Sequence, residues 1–279
     1  MARGEVSPGV AMAERERDGA GLSRGLEWTL RVGAFLCFAG HGAFGLITKE
    51  AWIPYFAVAG IGHDMAFRLM PLVGTMDIFM GCVMLVRPRP AVAYWMVAWA
   101  VWTALLRPLS GEPGWEALER GGDYGVPAAL AVLMVPPRVW RDVFLPARFR
   151  LDSEKALGAA RWVLTIAVSL LMLGHGALGV MGKRGITTNF ASVMPGDVAP
   201  MVTVYAGWLE IVLAAVVLVR RPVALLVFVA AWKLATESLF LAAGAPVWEV
   251  VERGGSYAAP IALAIVEMIG ARQSTRNSR

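Results

Sequence analysis

The stretch GHGAFG, Gly40–Gly45, returns as GHGALG, Gly174–Gly179, and this recurrence decides how the chain is read. In each copy a histidine stands between two glycines in the outer part of an apolar run. Working outward, Lys49 lies eight residues after His41, and Lys183 eight after His175. LVGTMDIFMG (Leu72–Gly81) matches YAGWLEIVLA (Tyr205–Ala214), which sets Asp77 opposite Glu210. WEALERGGDYGVP (Trp115–Pro127) matches WEVVERGGSYAAP (Trp248–Pro260). The offset is 134 residues at the histidines (41 to 175) and 133 at the carboxylates (77 to 210), so one loop residue was gained or lost. Self-similarity on this scale marks a duplicated domain, not a solenoid of short units.

Composition places the duplication in a membrane. Of 279 residues, 57% are hydrophobic and 17% charged, against about 25% charged in soluble domains. The apolar residues gather into runs near the roughly 20 residues that a helix needs to cross a bilayer. The net charge of +5 does not indicate nucleic-acid binding, because the basic residues sit in loops and tails, where they set topology. Cys37 and Cys82 fall in apolar runs with no CxxC and read as small core residues. There is no zinc spacing and no P-loop, so neither a metal nor a covalently bound cofactor is expected.

Read in order, residues 1–25 are polar and of mixed charge and suggest a disordered cytoplasmic tail. Residues 26–137 form the first repeat, with spans near Leu26–Ile47, Ala66–Val86, Ala91–Leu109 and a short fourth from Asp123 to Val135. AWIPYFAVAGIG between the first two is too short to cross and carries Pro54, which fits an interfacial piece. Residues 138–158 read as a basic linker. Residues 159–270 repeat the plan, with spans near Arg161–Met181, Pro200–Val219, Pro222–Ala243 and Tyr257–Ile269, and 271–279 form a basic tail. The expected fold is all-α, with eight transmembrane helices in two four-helix bundles. Lys and Arg favour the tails and even-numbered loops by 18 to 7 over the opposite loops, which puts both termini in the cytoplasm. An even number of spans per half makes the repeats parallel.

Ionisable groups inside spans are costly, about 2.5–3.5 kcal/mol for Asp at a helix centre on insertion scales, and they point to function. His41, Asp77, His175 and Glu210 recur at matched positions. The carboxylates lie roughly 7 Å deeper than the histidines at 1.5 Å per residue, a gap for side chains and one water. A His–carboxylate relay and a histidine bonded to a neighbouring helix carbonyl are both open. Lys233 and Glu237, four apart on one helix face, break the symmetry, since Ala100 and Ala104 stand opposite them. At the outer mouth Lys49, Glu119, Arg120 and Tyr124 recur as Lys183, Glu252, Arg253 and Tyr257. The tryptophans read as core or interfacial anchors.

These motifs carry a resemblance. GHGAFG with Lys49 and GTMDIFMG, and their second copies, resemble the DoxX family of small four-helix membrane proteins, so the chain looks like a tandem DoxX-like protein. The lysine comes later than in the family pattern, and Asp77 replaces a glutamate. The resemblance implies a multi-pass protein of the bacterial inner membrane. It also implies a subunit of a membrane oxidoreductase complex that interacts with quinone or a redox partner protein. A small-solute or proton-coupled carrier, using Lys233 and Glu237, and a scaffold without catalysis stay open as alternatives.

Overall fold

A computed structural model describes residues 8–277 and is all-helical. The first half contains α1 (Pro8–Leu46), α2 (Ile53–Val58), α3 (His63–Val86), α4 (Pro90–Leu109), α5 (Trp115–Glu119) and α6 (Gly121–Leu133). The second contains α7 (Glu154–Val180), α8 (Arg184–Ala191), α9 (Ala199–Val219), α10 (Val223–Ala242), α11 (Trp248–Val251) and α12 (Gly254–Asn277). Among the described residues, seven helices are long and apolar enough to cross a membrane. Their outward faces carry Leu72, Phe79 and Val86 on α3 and Tyr205, Val212 and Val219 on α9, all exposed. A bilayer would cover such a surface, and this is a multi-pass membrane architecture.

Three boundaries differ from the sequence reading. Residues 8–25, expected as tail, belong to α1, because Pro8 starts a helix well and AMAERER consists of helix formers; residues 1–7 lie outside the described residues. The fourth helix, α6, has 13 residues and falls short of the length that marks a span. Its buried glycines and small residues place it inside the bundle rather than against lipid. The basic connection is not free chain. Val135 N–H donates to Arg148 O at 2.7 Å, Arg150 N–H to Leu133 O at 2.8 Å and Ala147 N–H to Pro88 O at 2.8 Å. At the far end α12 absorbs residues 271–277 of the expected tail.

The two halves do not form separate bundles. α6 packs most extensively on α7 of the other half, and α12 on α1. Small residues permit the exchange. A Cβ on Gly122 would lie 2.6 Å from Gly255 O, and one on Gly255 2.6 Å from Gly122 O, so α6 and α12 meet backbone to backbone. On either side the contacts are reciprocal: Gly33 of α1 faces Ala258 of α12, while Ala167 of α7 faces Gly125 of α6. Each contact uses one glycine and one alanine, supplied by opposite partners. A single core, including Leu30, Leu130, Leu164 and Leu263, runs through both halves.

Matched turns close the outer helix ends. Thr48 (φ 54°) and Gly182 (φ 69°) occupy the same position after α1 and α7. The next amides close the same bond, Lys49 N–H to Phe44 O at 3.1 Å and Lys183 N–H to Leu178 O at 2.9 Å. A β-branched threonine in the left-handed region costs about 1–2 kcal/mol relative to glycine. Thr48→Gly is therefore expected to stabilise the protein by about 1 kcal/mol, read as a raised midpoint in detergent thermal unfolding.

Candidate functional site

The site begins where helices touch without side chains between them. A Cβ on Gly45 would fall 2.7 Å from Gly74 Cα, and one on Gly42 2.5 Å from Gly74 O. In the second half a Cβ on Gly176 would meet Gly207 O at 2.6 Å and one on Gly179 would meet Gly207 Cα at 3.1 Å. At that separation the histidine of one helix reaches the carboxylate of the next directly. His41 Nδ1 lies 2.9 Å from Asp77 Oδ2, and His175 Nδ1 lies 2.6 Å from Glu210 Oε2. The bridging water expected from the depth difference is not needed, because the glycine contact removes the gap. Asp77 and Glu210 are fully buried. Trp52 stacks on the His41 ring at 4.4 Å between centroids.

Beyond these pairs the halves diverge. In the second half Glu210 Oε1 accepts from Trp232 Nε1 at 2.8 Å. Lys233, with no exposed surface, places Nζ 2.7 Å from Glu237 Oε1 and 3.8 Å from Glu210 Oε1. Glu237 Oε2 in turn lies 2.7 Å from Arg253 Nε. The result is a continuous chain from His175 to Arg253. In the first half Trp99 stands where Trp232 does, but Asp77 is one methylene shorter than Glu210. Trp99 Nε1 and Asp77 Oδ1 are buried and neither makes a hydrogen bond. Ala100 and Ala104 replace Lys233 and Glu237. Arg120, the counterpart of Arg253, has a buried Nε without a hydrogen bond. Its nearest carboxylate oxygens, on Glu119, Asp123 and Glu252, lie 3.7–3.8 Å from the guanidinium nitrogens. The two alanines leave a cavity of about 280 Å³ bounded by His41, Asp77, Trp99 and Arg120.

The outer mouth is built across the halves. Lys49 Nζ of the first half pairs with Glu249 Oε1 of the second at 2.7 Å, and Lys183 Nζ of the second with Glu116 Oε1 of the first at 2.7 Å. Lys183 also lies 3.8 Å from Glu119 Oε1. Glycine again sets the geometry: a Cβ on Gly40 would meet Glu252 Cα at 2.5 Å, and one on Gly174 would meet Trp115 O at 2.7 Å. Each histidine motif thus seats the short outer helix region of the opposite half. Tyr124 and Tyr257 point their hydroxyls at Ala117 O (3.5 Å) and Val250 O (3.1 Å), tying that region to α6 and α12. Burial pushes the Glu116 carboxyl up, helped by neighbouring Glu119 and opposed by Lys183. Burial acts on Glu119 too but is outweighed by Lys183 and Arg120, which hold its carboxyl well below the usual range. Lys183 lowers both carboxyls: with Arg120 it outweighs burial at Glu119, whereas burial and the neighbouring Glu119 prevail at Glu116 and leave it easier to protonate.

Sequence reasoning named the histidines, their carboxylates, the Lys233–Glu237 pair and the mouth residues. It read the tryptophans only as anchors. The alignment of Trp99 with Trp232, each directly preceding a position where the halves differ (Ala100 and Lys233), is the signal for their polar role. Glu116 and Glu249 recur in the matched WEALERGGDYGVP and WEVVERGGSYAAP stretches as part of the same acidic–aromatic feature, and the structure pairs each with a lysine of the other half. Tyr55 and Arg107 were missed and carry no repeat signal. The Tyr55 hydroxyl bonds Glu112, and Arg107 Nη1 bonds the Tyr55 hydroxyl at 3.1 Å. Among the described residues no group of three or more His, Cys, Asp or Glu side chains could hold a metal ion. No family model matches the chain, no curated protein matches it, and no solved structure matches it.

Two stability tests follow from the asymmetry. Trp232→Phe removes the donor to a buried carboxylate and is expected to cost about 1–3 kcal/mol. Trp99→Phe breaks no bond and should stay within about 0.5 kcal/mol of wild type in the same thermal unfolding assay. Lys233→Met alone leaves Glu210 and Glu237 facing each other and should cost about 3–5 kcal/mol. Lys233→Met combined with Glu237→Leu should recover most of that loss, since Arg253 keeps Glu249 and Glu252 at 2.9 and 3.1 Å.

Proposed function

We propose that this chain binds a small molecule inside the membrane, in the first half alone, while the second half is a copy of the same site filled by its own side chains. The observation that carries this reading is the cavity beside Asp77 Oδ1 and Trp99 Nε1, two buried polar atoms without hydrogen bonds, at the place where Lys233 and Glu237 complete the network in the other half. Buried polar groups are nearly always satisfied, and an acceptor and a donor facing one cavity suit a ligand that offers the complement of each. A scaffold would gain stability by closing this space with larger side chains, as the second half does.

The reading extends to topology. α6 completes an eighth crossing with help from its flanks, because a helix enclosed by protein need not match the bilayer thickness as a lipid-facing one must. The repeats run parallel, and both termini lie in the cytoplasm of a bacterium, with the basic connection on the same side. The resemblance to DoxX proteins gives a second reading, a quinone-interacting subunit of a membrane oxidoreductase complex. It draws support from Leu72 and Trp102, which line the cavity and are also exposed on the lipid side. A quinol hydroxyl would donate to Asp77, and its other oxygen would accept from Trp99.

A reporter fused after Arg279, or inserted near Lys155, is expected to be cytoplasmic; a periplasmic signal at either place overturns the topology. The site is tested by a thermal-shift screen of quinols and polar solutes on wild type and on Ala104→Phe, which fills the cavity. A ligand present at 100 times its Kd should stabilise wild type by about 2.7 kcal/mol and leave the variant unmoved. A screen in which no compound separates the two proteins returns the cavity to packing.

A further inference from the structure

We infer that the first-half cavity takes a small zwitterion, with an ammonium and a carboxylate on one apolar body, as in a hydrophobic α-amino acid. The inference rests on the ligand-site reading above and names the chemistry of the ligand. The second half supplies the template. There Lys233 and Glu237 occupy the equivalent space, ammonium toward Glu210 (3.8 Å) and carboxylate toward Arg253 (2.7 Å). In the first half the groups that would receive them are present and unfilled. Asp77 Oδ1 at one end makes no hydrogen bond, and neither does Arg120 Nε at the other, and both residues line the cavity. Asp77 Oδ1 and Arg120 Nε thus each keep one open hydrogen-bonding position, although His41 already pairs with Asp77 and three carboxylates lie 3.7–3.8 Å from Arg120.

Charge narrows the class. The Lys233–Glu237 pair is neutral as a unit, and a zwitterion replaces it without changing the net charge of the site, to which Asp123 already adds a carboxyl group where the second half has Ser256. An amine alone would satisfy Asp77 and leave Arg120 as it is, and a carboxylate alone would do the reverse. Spacing narrows it further. Nζ of Lys233 and Oε1 of Glu237 touch at 2.7 Å, as the ammonium and carboxylate of an α-amino acid do, whereas a quinol holds its two oxygens on opposite sides of a ring. Trp99 Nε1 adds a donor. The remaining wall, including Phe38, Phe56, Leu69 and Val73, suits an apolar side chain. At about 280 Å³ the space is just below the roughly 300–1,000 Å³ of pockets for drug-sized ligands, which fits a small molecule. A charged ligand also has a polar route. Tyr55, Arg107, Arg120 and Asp123 line both this cavity and a second space of about 220 Å³, which Lys49, Lys183 and Glu249 border as well.

The test uses the full chain in nanodiscs and isothermal titration. L-leucine should bind with one site per chain. Leucinol, which lacks the carboxylate, and 4-methylpentanoate, which lacks the amine, should each bind roughly tenfold or more weakly. Ala100→Lys with Ala104→Glu copies the second-half pair into the first and should abolish binding with the thermal midpoint retained. If leucinol or 4-methylpentanoate matches leucine, the zwitterion inference falls. If decylubiquinol binds once per chain, is blocked by the double substitution, and leucine does not bind, the inference falls while the ligand-site reading stands. If no probe shows binding that the double substitution blocks, both fall.

Discussion

Backbone contact between helices at Gly74 and Gly207 is the constraint on which the polar interior depends. With any side chain at these positions α1 and α3, or α7 and α9, would stand apart, and neither histidine would reach its carboxylate. The same histidine motifs carry Gly40 and Gly174, which let the outer region of the opposite half lie against the helix. Three glycines per motif therefore do two jobs: two join helices within a half, and one joins the halves. In apolar surroundings, where exclusion of water gives helices no reason to associate, such close packing and interhelical polar contacts are the available adhesion.

The duplication then becomes informative through its failures. The polar positions align almost residue for residue, yet in the second half Lys233 and Glu237 fill the space with an ion pair, whereas in the first Asp77 Oδ1 and Trp99 Nε1 stay without hydrogen bonds. The difference lies at four positions: aspartate for glutamate at 77, alanine at 100 and 104, and Asp123 beside Arg120 where the second half has Ser256. Shortening the carboxylate by one methylene separates it from the tryptophan, and deleting the lysine and glutamate removes their partners and opens the space. Filling such a space with side chains and leaving it open are alternative outcomes, and here the two coexist in one polypeptide.

Much of this was legible in the sequence. The repeat, the helical class and the pairing candidates follow from GHGxxG, the matched carboxylates and the apolar runs. Lys233 and Glu237 were identifiable as the break in symmetry because alanines oppose them. What sequence could not supply was partner choice across the halves. Lys49 and Glu249 are 200 residues apart, and no spacing rule connects them. The sequence suggested two bundles because consecutive helices usually pack together. The small residues at Gly33, Gly125, Ala167 and Ala258 favoured the exchanged partners instead. The ordered connection after α6 was hidden by its basic composition, since its bonds are mostly between backbone groups.

The exchange of α6 and α12 has a consequence for synthesis. When the first half leaves the ribosome, Glu116 and Glu119 have no Lys183, Gly121 has no Ala167 to rest on, and Lys49 has no Glu249. A half-made chain thus holds charged groups and a bare glycine face whose partners do not yet exist. The last contacts to form involve the last helix, α12, with α1, the first. The molecule closes as a clasp, in which the earliest segment must wait for the latest, and a truncated product would display unpaired charge at its outer end.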